Sequence, residues 1–351
     1  MNGIRRSSLA VAATALFAAG CASTHDLQPA SSLRSADQLA SAQSLATAKA
    51  QSGAWPSDAW WAAFGDPQLD ALEREALSGS PTLEAAAART RIALAAAGVA
   101  DASRYPTVNA DASVTRDRYP AHALIPPPYA GNWTTYSVLE ATLSWEIDLW
   151  GRNKAEYQAA IGDSRAADAD SYAARLALSA AVAQSYFELS RNYAQLDVAR
   201  ASLQQREQIL ELTRQRNAAG LDSRLELRQT ETTLPVTREQ IAQLEENISR
   251  TRNALAALLG AGPDRGLAIA RPTLGAAPDL SLPTLLPADL IGRRPDIAAR
   301  RWRAEAAAKR IDVAHADFYP NVNLNAVAGF QLLGSGPLLS APNRQLGAGP
   351  A

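Results

Sequence analysis

The chain runs in two hydrophobic periods, and the change from one to the other falls twice at the same kind of place. Residues 81–104 and 295–318 are Ala-rich with Arg and Glu interspersed, and each stretch opens on a Pro suited to a first helical turn. Both are expected to be helices. After Tyr105-Pro106 and after Tyr319-Pro320 the period drops to two. Val108, Ala110, Ala112 and Val114 alternate with Asn109, Asp111, Ser113 and Thr115. Val322, Leu324, Ala326, Ala328 and Phe330 alternate in the same way with Asn323, Asn325, Val327 and Gly329. This predicts strands with one apolar and one polar face. A further strand is predicted over about 134–149, where Leu143, Trp145, Ile147 and Leu149 alternate with Thr142, Ser144, Glu146 and Asp148. Between the first two strands, Pro120, Pro126, Pro127, Pro128 and Gly131 predict an irregular loop.

The helical period then dominates. Residues 152–219 carry no break of consequence, and these 68 residues predict a helix of about 100 Å at 1.5 Å per residue. Within it Val182, Tyr186, Leu189, Tyr193, Leu196, Ala199 and Leu203 step by fours and threes, the seam of a coiled coil. A tight turn is expected at Ala219-Gly220-Leu221-Asp222, with Gly220 in the left-handed position and Asp222 or Ser223 capping the next helix. The returning helix, about 222–259, repeats the rhythm through Ile241, Leu244, Ile248, Thr251, Leu255 and Leu258, and Pro235 is expected to kink it. This helix and the shorter one before the first strand together nearly match the long one, so two short helices stacked end to end against one long partner are expected.

An offset of 214 residues aligns Pro81 with Pro295, Arg89 with Arg303, Val99 with Val313, Tyr105 with Tyr319, Pro106 with Pro320, Val108 with Val322 and Asn109 with Asn323. We read an internal duplication of a helix running into a strand. The same offset puts the counterpart of the second strand at about 348–363, so the second copy is expected to hold one strand only and the chain three.

The N-terminus carries an address. Arg5 and Arg6 precede a short apolar run over 9–20, the layout of a secretory signal. The run ends in Leu16-Phe17-Ala18-Ala19-Gly20-Cys21, and Cys21 is the sole cysteine of the 351 residues. Small residues before a Cys resemble the lipobox at which bacterial lipoproteins are cut and acylated, although Ala18 stands where a Leu is usual. Residues 21–54 then predict a lipidated flexible tether.

Composition narrows the function classes. With 34 basic and 35 acidic residues the net charge is −1, which gives no electrostatic case for a nucleic-acid partner. A single Cys excludes disulfides within the chain, and His25, His122 and His315 lie far apart, so neither a metal site nor a cofactor is expected. No phosphate loop or nucleophile elbow occurs, and the acidic pairs Glu245-Glu246 and Asp168/Asp170 fall on helical stretches as solvated charges, so no enzyme is expected. Any membrane insertion beyond the N-terminus must use strands, because no apolar run reaches the roughly 18 residues of a spanning helix.

Taken together, Cys21, the run 60–69 (WWAAFGDPQL), the Tyr-Pro corners, Trp145-Glu146-Ile147-Asp148-Leu149-Trp150-Gly151-Arg152, the Gly220 turn and Arg293-Arg294-Pro295-Asp296-Ile297 resemble the outer membrane factor family, the TolC-like exit ducts of efflux systems, in its OprM/NodT lipoprotein branch. The resemblance implies a mainly α fold with a small β part: coiled-coil hairpins of a helical barrel plus antiparallel strands of a transmembrane barrel, closed by a homotrimer. It implies a passive outer-membrane duct for drugs or small toxic compounds, served by an inner-membrane pump of the resistance-nodulation-division type. A periplasmic adaptor (membrane fusion protein) would dock at the hairpin tip, carried over here as Ala218, Ala219, Gly220, Leu221, Asp222 and Ser223. The strand-to-helix turn is carried over as Trp145, Asp148, Trp150, Gly151 and Arg152, and the helix-to-strand corners as Tyr105, Pro106, Tyr319 and Pro320. The expected organisation is a signal peptide (1–20), the lipidated tether (21–54), an N-terminal equatorial segment (55–80), a first repeat (81–290) and the start of a second (291–351). Lacking a fourth strand and a second hairpin, the chain is expected to be an incomplete fragment. A soluble sheet on a helical body, a periplasmic lipoprotein adaptor and a structural coiled-coil envelope protein remain open on the residues alone.

Overall fold

The computed structural model describes residues 58–122, 125–275 and 292–350. In chain order these form a 3₁₀ turn (Trp60–Phe64), α1 (Pro67–Gly79), α2 (Pro81–Ala102), β1 (Thr107–Arg118), β2 (Trp133–Ile147), α3 (Arg152–Ala218), α4 (Arg224–Leu258), α5 (Pro263–Leu267), α6 (Pro295–Ala316), β3 (Val322–Leu333) and β4 (Arg344–Pro350). The offset of 214 carries α2 onto α6 residue for residue. The chain divides into two compact units, and α2, α3 and α6 each contribute residues to both.

The first unit takes the described part of 92–165 together with 300–350 and is built on one antiparallel sheet in the order β1-β2-β3-β4. Its register sorts the side chains by chemistry. Val108 pairs with Leu143, Leu143 with Ala326 and Ala326 with Ala348; the next such row is Ala110, Ala141, Ala328 and Leu346. The intervening row, on the opposite face, is Asn109, Thr142, Val327 and Gly347, and the next on that face is Asp111, Glu140, Gly329 and Gln345. Through these middle rows one face is apolar and the other mainly polar, and Val108, Val114 and Leu346 stand exposed on the apolar one. Beside the sheet, α6 packs on the start of α3: Ala306 Cβ lies 3.0 Å from where a Cβ on Gly162 would stand, and the Arg165 guanidinium lies 4.6 Å over the Trp302 ring. Arg310 and Asp163 form an ion pair across the same seam.

The fourth strand corrects the three-strand expectation. The sequence alignment by repeat placed its start at about 348, whereas β4 opens at Arg344 and pairs seven residues with β3, from Arg344 opposite Phe330 to Pro350 opposite Leu324. The Gly-rich tail carries no alternation of its own to announce a strand. What holds it is the free edge of β3, whose backbone groups need partners.

The second unit takes the described part of 36–91 together with 166–275 and 292–299. Its core is the predicted seam: Val182, Tyr186, Leu189, Leu196 and Ala199 of α3 pack with Leu244, Ile248 and Leu255 of α4 and with Leu69, Leu72 and Ala76 of α1. Polar ties cross the hairpin, Arg200 to Glu245 at 2.7 Å and Arg238 to Glu207 at 3.0 Å. Pro235, expected to kink α4, lies inside its uninterrupted span. The end of α4 abuts the start of α2 so closely that a Cβ on Gly260 would come within 2.7 Å of Gly79 O and 2.8 Å of Pro81 Cδ. The expected end-to-end meeting of the two shorter helices thus occurs at a glycine with φ +74°.

Candidate functional site

The hairpin tip is fixed by hydrogen bonds at every step. The Leu221 N–H donates to Arg216 O at 2.8 Å and the Gly220 N–H to Asn217 O at 3.0 Å, the paired bonds of a Schellman closure, with Gly220 at φ +75°. Arg216 then grips Asp222 with its guanidinium fork, Nε and Nη2 both 2.9–3.0 Å from the carboxylate. Those bonds from Arg216 hold the Asp222 carboxyl below the usual carboxylate range. Asn217 Nδ2 donates to Asp222 O at 2.8 Å. Ser223, not Asp222, caps α4: its hydroxyl accepts from the Glu226 N–H while the Glu226 carboxylate accepts from the Ser223 N–H at 2.6 Å. On this stiff turn Leu221 and Leu225 are 70% and 67% exposed. The tip presents apolar side chains on a backbone that has little freedom left.

In the first unit the strand-to-helix turn and the second corner come together. Asp148 caps the start of α3, accepting from the N–H groups of Asn153 (3.2 Å) and Lys154 (2.9 Å), and Gly151 turns the chain at φ +76°. Trp150 donates its indole N–H to Pro320 O at 3.0 Å and stacks on Tyr319 with ring centroids 4.6 Å apart. Arg152 reaches Asp317 at 2.9 Å. Trp145 donates to Arg104 O at 3.3 Å beside the first corner. The two corners are built alike, Tyr105 N–H to Ala102 O and Tyr319 N–H to Ala316 O, again 214 residues apart. Cys21 lies outside the described residues.

One polar cluster in the second unit escaped the sequence reading. Tyr186, taken only as a seam residue, donates its hydroxyl to Asp66 Oδ2 at 2.7 Å, and the Thr273 N–H reaches the same oxygen at 2.9 Å. Gln68 bonds both ways with Ala270 and its Nε2 donates to the Tyr186 hydroxyl oxygen at 2.9 Å. Burial pushes the Asp66 carboxyl up, yet the donors Tyr186, Thr273, Gln68 and Leu69 together outweigh it and hold the group low. The only local signal was Asp66 ahead of Pro67, a helix N-cap. Nearby on α1, Glu73 is wholly buried with neither carboxylate oxygen hydrogen-bonded among the described residues, and burial pushes its pKa up to about 7.

A two-faced antiparallel sheet and a long helical hairpin give the fold of TolC-like outer membrane channels, which the solved structures share. Residues 72–261 match the family described as outer membrane efflux protein, and the chain belongs to that family. It is 40% identical over 323 residues to the fusaric acid resistance protein FusA of Burkholderia cepacia, covering 92% of this chain and 61% of that one. It is 31% identical over 303 residues to the multidrug resistance outer membrane protein MdtP of Shigella flexneri, covering 84% and 62%. Among solved structures it resembles the outer membrane protein VceC of Vibrio cholerae, with TM-score 0.78 and 36% identity over 85% of this chain and 70% of that one. The chain thus spans about three-fifths of the length of these curated relatives. Family and fold are those of channels, not of enzymes.

Proposed function

We propose that this chain builds part of the wall of an outer-membrane exit duct in a tripartite efflux system, a passive conduit for drugs or other small toxic compounds. The observation that carries the reading is the sheet, whose middle rows share one apolar face and one mainly polar face across all four strands. Such a sheet suits a barrel wall between lipid and a water-filled lumen. Three copies of a four-stranded sheet give twelve strands, and closing them into one barrel would leave no free edge in lipid. Relatives named for resistance to fusaric acid and to multiple drugs support small toxic molecules as cargo. Selection among them would fall to an inner-membrane pump of the resistance-nodulation-division type.

A cysteine scan along β2 tests the wall, with Cys21 changed to Ser. In outer membranes a membrane-impermeant maleimide is expected to label Glu140→Cys and Thr142→Cys strongly and Leu139→Cys and Leu143→Cys weakly. Equal labelling at all four positions would remove the barrel reading.

The hairpin tip, Ala218 to Ser223, is the docking point for a periplasmic adaptor in this reading, supported by its rigid closure and the exposed Leu221 and Leu225. In the same background, Leu221→Cys is expected to cross-link to a co-expressed adaptor and Ser249→Cys on α4 is not. Cross-linking from both positions, or from neither, counts against tip docking.

A further inference from the structure

Between the start of α3 and the end of α6, within the first unit, lies a groove of about 590 Å³. The stacked rings of Trp150 and Tyr319 line it together with Lys154, Lys309, Asp312 and His315. His315 sets its ring edge-on to Tyr319, centroids 5.9 Å apart. Lys309 and Asp312 form an ion pair at 2.9 Å, while among the described residues the Lys154 ammonium has no carboxylate within ion-pair distance.

The groove sits at a defined level of the sheet. The apolar faces end at Ile147 of β2 and begin at Val322 of β3, and Trp150 and Tyr319 stand just past those two ends. With the sheet as a membrane wall, the reading on which this inference rests, the aromatic pair marks the level where hydrocarbon gives way to headgroups. The charged side chains of the groove then stand in the headgroup layer itself.

We propose that this groove holds the phosphoethanolamine headgroup of a phospholipid, its phosphate on Lys154 and Lys309 and its ammonium on Asp312. Two ammonium groups on one groove suit a phosphate, which accepts charge-assisted hydrogen bonds. Asp312 decides the rest of the headgroup. A carboxylate beside the phosphate position repels a purely anionic headgroup and accepts N–H donors, which choline lacks. The exposed Lys309–Asp312 pair, with side chains 45% and 57% accessible, is of the kind that contributes little on its own, so exchanging it for the two ends of a zwitterion costs little.

The test is native mass spectrometry of the whole chain purified from membranes in detergent, titrated with phosphatidylethanolamine, phosphatidylglycerol or phosphatidylcholine. Wild type is expected to retain phosphatidylethanolamine about tenfold better than the other two, a difference of about 1.4 kcal/mol. Lys154→Gln and Lys309→Gln are expected to lose that preference, Asp312→Asn to shift it towards phosphatidylglycerol, and Arg200→Gln in the second unit to keep it. Millimolar inorganic phosphate is expected not to displace the lipid. The proposal is overturned by equal retention of all three lipids, by variants that bind like wild type while matching its circular dichroism, or by displacement with phosphate, which marks a free-anion site. A chain that fractionates as a soluble protein without detergent defeats the wall reading itself; a membrane-bound chain without the preference defeats only the headgroup site.

Discussion

At the scale of single residues, the buried carboxyl of Glu73 makes the sharpest demand on the fold. Burial holds it neutral with a pKa of about 7 against 4.5 for a free glutamate. The unfolded chain gives up this proton near pH 4.5 and the folded one near 7, so rising pH favours unfolding throughout that window and the loss is complete above it. The shift corresponds to about 3 kcal/mol. Glu73→Gln keeps the shape and removes the ionisation. The variant is therefore expected to gain in melting temperature at pH 8 relative to wild type and to gain little at pH 5. Parallel melting curves for the two proteins across this range would show that Glu73 does not titrate in the fold. Asp66, a few residues earlier, has the opposite environment, since four donors converge on its carboxylate and favour the charged form.

Among the elements, β3 shows how closely backbone and side chain are matched in this sheet. A Cβ on Gly329 would stand 2.6 Å from Glu140 Cα on the paired strand, and closer still to Leu139 O. Those are backbone atoms that cannot step aside without opening the β2–β3 ladder. Gly329→Ala is expected to destabilise by about 1–3 kcal/mol, the cost of overpacking, with amide exchange rising at Leu139 and Glu140 before it rises in α3. Unchanged protection at those two amides would mean that the ladder absorbs the methyl. The hairpin helices tolerate more, since their contacts come from long rows of interchangeable apolar side chains along α3 and α4.

For the whole molecule, the reading as a channel wall turns on what covers the apolar face of the sheet. Leu143 stands in the middle of that face, between Val108 and Ala326. Leu143→Arg is expected to cost about 2–4 kcal/mol if lipid is the solvent there and to reduce the folded fraction recovered from outer membranes. Thr142→Arg, one position away on the polar face, is expected to leave that fraction near wild type. Equal effects of the two substitutions would place water on both faces.

The sequence by itself determined the elements that a local period or a local turn can specify. The Pro-opened helices, the alternating strands, the duplication by 214 residues, the α3–α4 seam and the Gly220 turn are all written in residue spacing, because helix and strand periodicity depend on neighbours along the chain. Tertiary structure decided the rest. β4 exists because β3 has an edge to fill, although its own residues alternate poorly. Tyr186 reads as one more seam residue until Asp66, 120 positions earlier, comes within hydrogen-bond distance of its hydroxyl. Glu73 carries no local sign in the sequence of the burial that the folded second unit imposes on it. The groove of Lys154, Lys309 and Asp312 likewise assembles residues about 155 positions apart. Charge, burial and pairing are properties of the space around a side chain, and only the folded chain defines that space.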